Sequence, residues 1–380
     1  MKAAAGDQAA ARRPLFLARG GQIDGQQRQV HYLGANLAEL GRAPLVVLDS
    51  EGPFVEALRG AGVETQVHRM APWRAPLRFV SRWADALGLA RAASGRGVGI
   101  VHAHDVWRAE YARFVAKRLG VPYVVHVRGP VSRRDIAKHR LALADAVVAI
   151  ARRYVDDLLE AGVDSERIRL IDDSVDISRF DPAAVAETER KRGDACVVGF
   201  VGRISPFKAV LEFLDILSRL PAPARERVRV VVAGEWEEPE YARRVAARLG
   251  ELALTRQVCL VGRLPAEKMP EFLAGIDLLA TLSGGSVMFE AMAMAKPVLS
   301  IRADGRHSQH TRHDRTAWCV DTIDPQVCAA ELARLVADAP LRARLGAAAR
   351  ERAVGALSSA AMAQKTVALY DDLMSARGTT

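Results

Sequence analysis

Apolar residues along this chain come in short runs that alternate with amphipathic stretches. Pro14–Ala18 (PLFLA) is the first run. Gly20-Gly21 follows, then a segment whose Val30, Leu33, Leu37 and Leu40 fall on one helical face. Gly41 closes that helix, and Leu45–Leu48 (LVVL) begins the next strand. GVETQVH, VGIVHAH, PYVVHVR and AVVAIA are further strands, separated by helical stretches such as Glu110–Leu119. Strands apolar on both sides and joined by helices predict a parallel sheet covered on both faces.

The pattern breaks at residues 181–195 (DPAAVAETERKRGDA), which are polar, charged and without a strong period, as in an interdomain linker. It then restarts. CVVGFVG, VRVVVAG, VCLVG, DLLATL and KPVLSI read as strands, with VLEFLDIL, YARRVAARLGEL, MPEFLAGI and VMFEAMAMA as the helices among them. A long Ala/Arg-rich helical tail completes the chain. The expected fold class is therefore α/β, with two Rossmann-like parallel-sheet domains facing each other across a cleft. Ligands are expected at the carboxyl ends of the strands.

Composition narrows the setting. The 380 residues suffice for two cores of ordinary size, and 50% hydrophobic with 26% charged residues is a globular balance. No uninterrupted apolar stretch reaches the roughly 18 residues of a membrane span. The N-terminal apolar run, broken by Arg19, is too short for a signal peptide, so a cytoplasmic protein is expected. Cys196, Cys259, Cys319 and Cys328 lie far apart without a CxxC pair and read as reduced thiols.

The net charge of +9 leaves open nucleic acid, an anionic membrane surface or anionic substrates. Nucleic acid is not expected, because basic residues are not interleaved with aromatic ones on strands. Arg69–Arg96 is the most basic window, with six arginines against Asp85 alone. Trp73, Phe79 and Trp83 lie within it, and Leu77, Val80, Trp83, Ala84, Leu87 and Ala90 follow helical spacing. This is either a solvated surface helix or a face that docks on an anionic membrane, peripheral on its inner side.

The second half carries the most informative chemistry. The strand CVVGFVG runs into Gly202-Arg203-Ile204-Ser205-Pro206-Phe207-Lys208, placing a guanidinium fork and a movable ammonium on one loop, a pair suited to a diphosphate. Ser283-Gly284-Gly285-Ser286 opens the helix VMFEAMAMA, where backbone N–H groups and the dipole favour an anion. Glu290, one turn inside, can accept from a vicinal diol as acidic residues do with ribose. Each also has a plain reading, as solvated cations, a turn and a first-turn acid; their occurrence at the ends of different strands favours a site.

The string FVGRISPFKAVLEFLDIL, with VVVAGEWEE and VCLVGRLPAEKMPEFLAGIDLLATLSGGSVMFEAMAMAKPVLSI downstream, resembles glycosyltransferase family 4, retaining enzymes of GT-B fold. GIVHAHDV, YVVHVRG, LADAVVAIA and IRLIDDSVDISRF in the first half agree, so the resemblance runs from about residue 14 to 355. It implies an acceptor-binding domain over 1–190 and a donor-binding domain over 191–355. A final helix, 356–380, would cross back to the first. It also implies a sugar nucleotide as co-substrate with no further cofactor and no metal, and a glycan or glycolipid acceptor, as in cell-envelope synthesis.

By the same resemblance Arg203 and Lys208 hold the departing diphosphate, Glu290 holds the ribose, and Gly284, Gly285 and Ser286 line the donor. His126 faces the transferred sugar, Gly20 and Gly21 close over the phosphates, and Val261–Leu264, with Arg263 and Leu264, lines the nucleobase.

The chain departs from the family pattern in four places. Leu282 stands where a second glutamate is usual, and Gly284-Gly285-Ser286 replaces bulkier residues. Ala209 stands where glycine commonly follows the lysine, and Asp173-Ser174 replaces Asn-Gly. The missing glutamate keeps open an alternative, a non-catalytic GT-B subunit that binds nucleotide or glycan. His102 and His104 form H-x-H, a metal-like spacing without an evident third ligand nearby, and read as packing residues at a strand end. His307, His310 and His313 read as part of a solvated basic loop, with Trp318 and Cys319 packed behind the donor site.

Overall fold

The computed structural model describes residues 12–73, 79–185 and 195–378. The chain forms two compact units, Met1–Ser174 with Ser359–Thr380, and Val175–Ser358. The division expected at 190/191 thus lies inside the second unit. Val175 and Phe180 are already buried in that unit's core with Leu357, and the Val175 N–H donates to the Leu357 carbonyl at 2.8 Å. The polar stretch that marks a linker in the sequence begins after these commitments are made; its residues 186–194 lie outside the described ones.

The first unit is built on β1 (Arg13–Ala18), β2 (Leu45–Leu48), β3 (Glu64–Val67), β4 (Val98–Ala103), β5 (Tyr123–Val127), β6 (Ala146–Ala149) and β7 (Ile168–Leu170). They form a seven-stranded sheet in the order β3-β2-β1-β4-β5-β6-β7, with every neighbouring pair parallel. Alternate side chains serve opposite faces, as the pleat requires. Leu15 and Leu17 enter one core with Val101 and Ala103, while Phe16 and Ala18 enter the other with Ile100. The helix Gly25–Glu39 starts at Asp24, whose carboxylate accepts from the Gln26 and Gln27 amides. The helix Ser359–Gly378 returns to this unit, where Met362, Leu369 and Tyr370 are buried with Phe16, Val30 and Leu33.

The second unit contains β8 (Cys196–Val201), β9 (Val228–Ala233), β10 (Val258–Gly262), β11 (Leu278–Thr281), β12 (Val298–Ile301) and β13 (Trp318–Val320). Their order is β10-β9-β8-β11-β12-β13, again parallel throughout. Val198, Phe200 and Val230 pack with Phe213 on one face; Leu279 and Val298 pack with Met292 on the other. Two α/β units with parallel sheets are what the alternation in the sequence predicts. Among the described residues no helix is long and apolar enough to cross a membrane.

Candidate functional site

Each sheet reverses its strand order at one place, between β1 and β4 in the first unit and between β8 and β11 in the second. Loops leaving adjacent strands on either side of such a reversal diverge and open a crevice at their carboxyl ends. The candidate residues of the second unit follow from this. Arg203 and Lys208 lie on the loop after β8, and Gly284–Ser286 on the loop after β11.

The Lys208 ammonium donates to the Gly284 carbonyl at 3.3 Å. Gly285, beside the Lys208 ammonium, has φ +122°, a backbone conformation that favours glycine. Burial, and secondarily the charge of Arg203, push the Lys208 pKa down. Arg203 itself is exposed and pairs with Glu237 at 2.7 Å. Two cations that disfavour one another gain when an anion lies beside both.

Glu290 is buried in the first turn of the helix Val287–Ala293, which begins directly after Ser286. That helix is two turns long, shorter than the sequence pattern implies, because the chain leaves it at Met294. The Gly284 amide is already taken by Thr281 Oγ1 at 3.0 Å. Arg263 and Leu264 follow β10, with Arg263 exposed and 3.7 Å from Glu235. Leu282 is buried with Ala280 and Leu278, so the position usual for a glutamate serves the apolar core here.

In the first unit, Gly20 and Gly21 follow β1. A Cβ on Gly20 would meet the Ser50 carbonyl oxygen at 2.1 Å, so the close approach of these loops requires glycine. The Gly20 amide donates to Asp49 at 2.8 Å. His126, on β5, is 3% exposed and lines a cavity of about 230 Å³ with Gln26, Asp105, Trp107, Arg128 and Asp135. Arg128 donates to His126 Nδ1 at 3.3 Å, which leaves the ring proton on Nε2, an atom without a hydrogen-bond partner among the described residues. Arg128 is itself held by Asp173, so the aspartate that replaces the family's asparagine serves as its counter-ion. Ser174 is bound to Gln29 through its amide, hydroxyl and carbonyl.

His102 and His104 do have a third histidine beside them. One ring nitrogen each of His102, His104 and His126 lie within 4.8 Å of one another, because the ends of β4 and β5 are neighbours in the sheet. The rings of His102 and His126 are parallel within 2°, with centroids 5.3 Å apart. Three imidazoles could ligate a metal, but the Arg128 guanidinium adjoins them, a charge that disfavours a cation there. Burial, and then the Arg128 charge, lower the His102 pKa to about 3; His104 and His126 are also held well below the ordinary value, chiefly by burial. These are neutral rings. His102 Nδ1 lies 2.5 Å from the Tyr370 hydroxyl on the helix Ser359–Gly378.

The histidine-rich loop is not simply solvated. His307 bridges Ser300 at 2.8 Å and Asp321 at 2.9 Å, and buried His310 accepts from Arg352 at 3.1 Å. Polar residues of a loop packed on its own unit are satisfied internally, and composition does not show this. In the basic window, Arg74 and Arg78 lie outside the described residues. Arg82 lies over Trp73 at 5.7 Å, Arg96 pairs with Glu64, and Arg69 is 3.9 Å from Asp85.

Sequence reasoning passed over Trp107, Arg108, Arg128, Lys138 and Tyr370. HAHDVWR and VHVRG carry the first three at strand ends, a signal available from position alone; nothing local marks Tyr370, which reaches His102 across 268 residues.

Comparison with known proteins shows the family. The family model described as Glycosyl transferases group 1 matches residues 184–352, and that described as Glycosyltransferase Family 4 matches residues 23–179. A D-inositol 3-phosphate glycosyltransferase of Salinispora arenicola is 30% identical over 319 residues, covering 71% of this chain and 68% of that one. Another, from Acidothermus cellulolyticus, is 30% identical over 279 residues, covering 65% and 61%. Among solved structures, Anabaena HepE in complex with UDP and glucose matches with a TM-score of 0.80 at 19% identity, covering 95% of this chain and all of that one.

Proposed function

Because this chain belongs to glycosyltransferase family 4, and so is a glycosyltransferase of GT-B fold, we propose that it transfers a sugar from a nucleoside-diphosphate sugar to an acceptor hydroxyl. The observation that carries this reading is the Lys208 ammonium held at the Gly284 carbonyl, its proton affinity lowered by burial and then by the Arg203 charge. A diphosphate relieves that repulsion, and relieves it more as negative charge builds on the leaving group.

In this reading the anomeric C–O bond breaks with its electron pair passing to the diphosphate. The acceptor oxygen bonds to the anomeric carbon on the same face, giving retention, and its proton passes to the departing phosphate oxygen. His126 donates from Nε2 to the transferred sugar, Glu290 accepts from the ribose hydroxyls, and Arg263 and Leu264 flank the base. Gly20 and Gly21 act on the phosphates, and Gly284, Gly285 and Ser286 line the donor. Lys208 and Arg203 carry the charge, so no metal is required. A UDP-sugar is the donor to try first, since HepE is seen with UDP and glucose. The acceptor class is a glycan or glycolipid of the cell envelope, or a polyol such as the inositol phosphate named for the relatives.

The test is nucleotide release by the full chain over a panel of sugar nucleotides and acceptors, with and without EDTA. Turnover should survive chelation, and Lys208→Ala should lower it about a hundredfold with folding intact. Near-normal turnover in that variant removes Lys208 from the diphosphate site; full loss in EDTA restored by magnesium removes the metal-independent reading. NMR of the product's anomeric centre reads retention directly.

A further inference from the structure

A second cavity of the first unit, about 510 Å³, belongs to none of the donor residues. Three of its walls are aromatic: Trp73, Trp107 and Tyr111. Tyr111 is buried and its hydroxyl donates to the Ala71 carbonyl at 2.9 Å, while its ring stands edge-on to Trp73 at 4.9 Å. The Trp73 ring is fixed from two further directions, by Trp83 at 5.3 Å and by the Arg82 guanidinium.

Trp107 is the contrast. It is 53% exposed, although its backbone is tied down in a short turn where Asp105 accepts from its amide at 3.0 Å. Exposing an indole on an ordered turn leaves apolar area in water that a ligand can cover. Trp107 also lines the 230 Å³ cavity that contains His126, so the two cavities share this residue.

Charge indicates what such a ligand would be. Arg108, the buried cation of the larger cavity, is answered by Asp49 and by Asp105 at 2.8 Å. The Lys138 ammonium lies 5.3 Å from the Trp107 ring centre. Among the described residues, Asp49 and the neighbouring Asp105 stand against Arg108 and Lys138, so the charged groups at this cavity are largely answered within the unit. Aromatic faces with balanced, hydrogen-bonding polar groups suit a sugar, whose ring has apolar C–H faces and a polar rim.

We propose that the first unit binds a neutral oligosaccharide acceptor of at least two units across Trp107. Its reacting sugar lies beside His126, and the adjoining sugar in the cavity walled by Trp73, Trp107 and Tyr111. The proposal rests on the transferase reading above and adds to it the class and minimum length of the acceptor.

The test is direct binding to the full chain by calorimetry and by an array of mono- to tetrasaccharides, with octyl glucoside as an apolar control. At least one disaccharide should bind about tenfold or more tighter than either of its component monosaccharides. Trp107→Ala should erase that difference, and Trp107→Phe, which keeps an aromatic face, should restore most of it; circular dichroism confirms folding of both. Equal affinity for mono- and oligosaccharides, or an undiminished ratio in Trp107→Ala, overturns the proposal. Tight binding of octyl glucoside with no gain from a second sugar overturns it in favour of an acyl chain. UDP affinity measured on the unsubstituted protein tests the donor reading separately, so failure of one reading is distinguishable from failure of the other.

Discussion

Ala209 shows how one residue can hold both a departure from a family and its physical cost. It sits directly after Lys208 with φ +57° and ψ +45°, in the left-handed region, where a β-carbon crowds the following carbonyl. Glycine is common there because the backbone must turn sharply between the lysine and the helix Val210–Ser218. Ala209→Gly should therefore raise the unfolding free energy by about 1 kcal/mol, since relief of strain outweighs the added freedom of the unfolded chain. Urea denaturation reads this; a loss of stability would mean that Ala209 is not strained. Asp173 is a second departure with a use. Opposite Arg128 a carboxylate neutralises what an asparagine would leave charged, so Asp173→Asn should destabilise the first unit by about 3 kcal/mol, as for a buried pair losing one partner.

At the scale of elements, the ends of β4 and β5 gather His102, His104 and His126, and burial keeps all three uncharged. The unfolded chain takes up protons at these rings near pH 6.5, whereas the folded one does so only far lower, about pH 3 for His102. Their contribution to stability is thus complete above pH 6.5 and is lost as pH falls towards 3. In that window the His102 ring costs about 1 kcal/mol per pH unit, and His104 and His126 act in the same direction. Denaturation midpoints should drop between pH 7.5 and 5, and His102→Gln should make that drop shallower; an unchanged slope would mean that His102 titrates normally.

The strands themselves were legible where they are long and apolar on both sides, as in PYVVHVR or VRVVVAG. β7 and β13, of three residues each, have too little length for any period to show. Of the proposed donor site, Arg203, Lys208 and Glu290 are candidates that the sequence itself offers, because they follow strand ends at family spacing. The grouping of three histidines could not, because it depends on which strands are neighbours, and sheet order is not written in local pattern.

For the whole molecule, the net charge of +9 predicts attraction to anionic surfaces wherever the arginines are not already answered by acids. Binding to anionic vesicles at low salt, its loss with rising salt, and its loss on replacing Arg74, Arg78 and Arg82 with glutamate would assign the Arg69–Arg96 segment to a membrane. No binding at low salt would dismiss that face. The chain's path has a different kind of consequence. The first unit is assembled from two segments that flank the second in the chain, while the second is continuous from Val175 to Ser358. During synthesis the ribosome has made all of the second unit before it makes Met362, Leu369 and Tyr370, so Phe16, Val30 and Leu33 must wait for their cover. The half that is translated first is thus completed last, and until then its nascent apolar face is an opening for chaperones. A fragment of residues 175–358 should fold by itself, whereas residues 12–174 should remain protease-sensitive until a peptide of residues 359–378 is supplied.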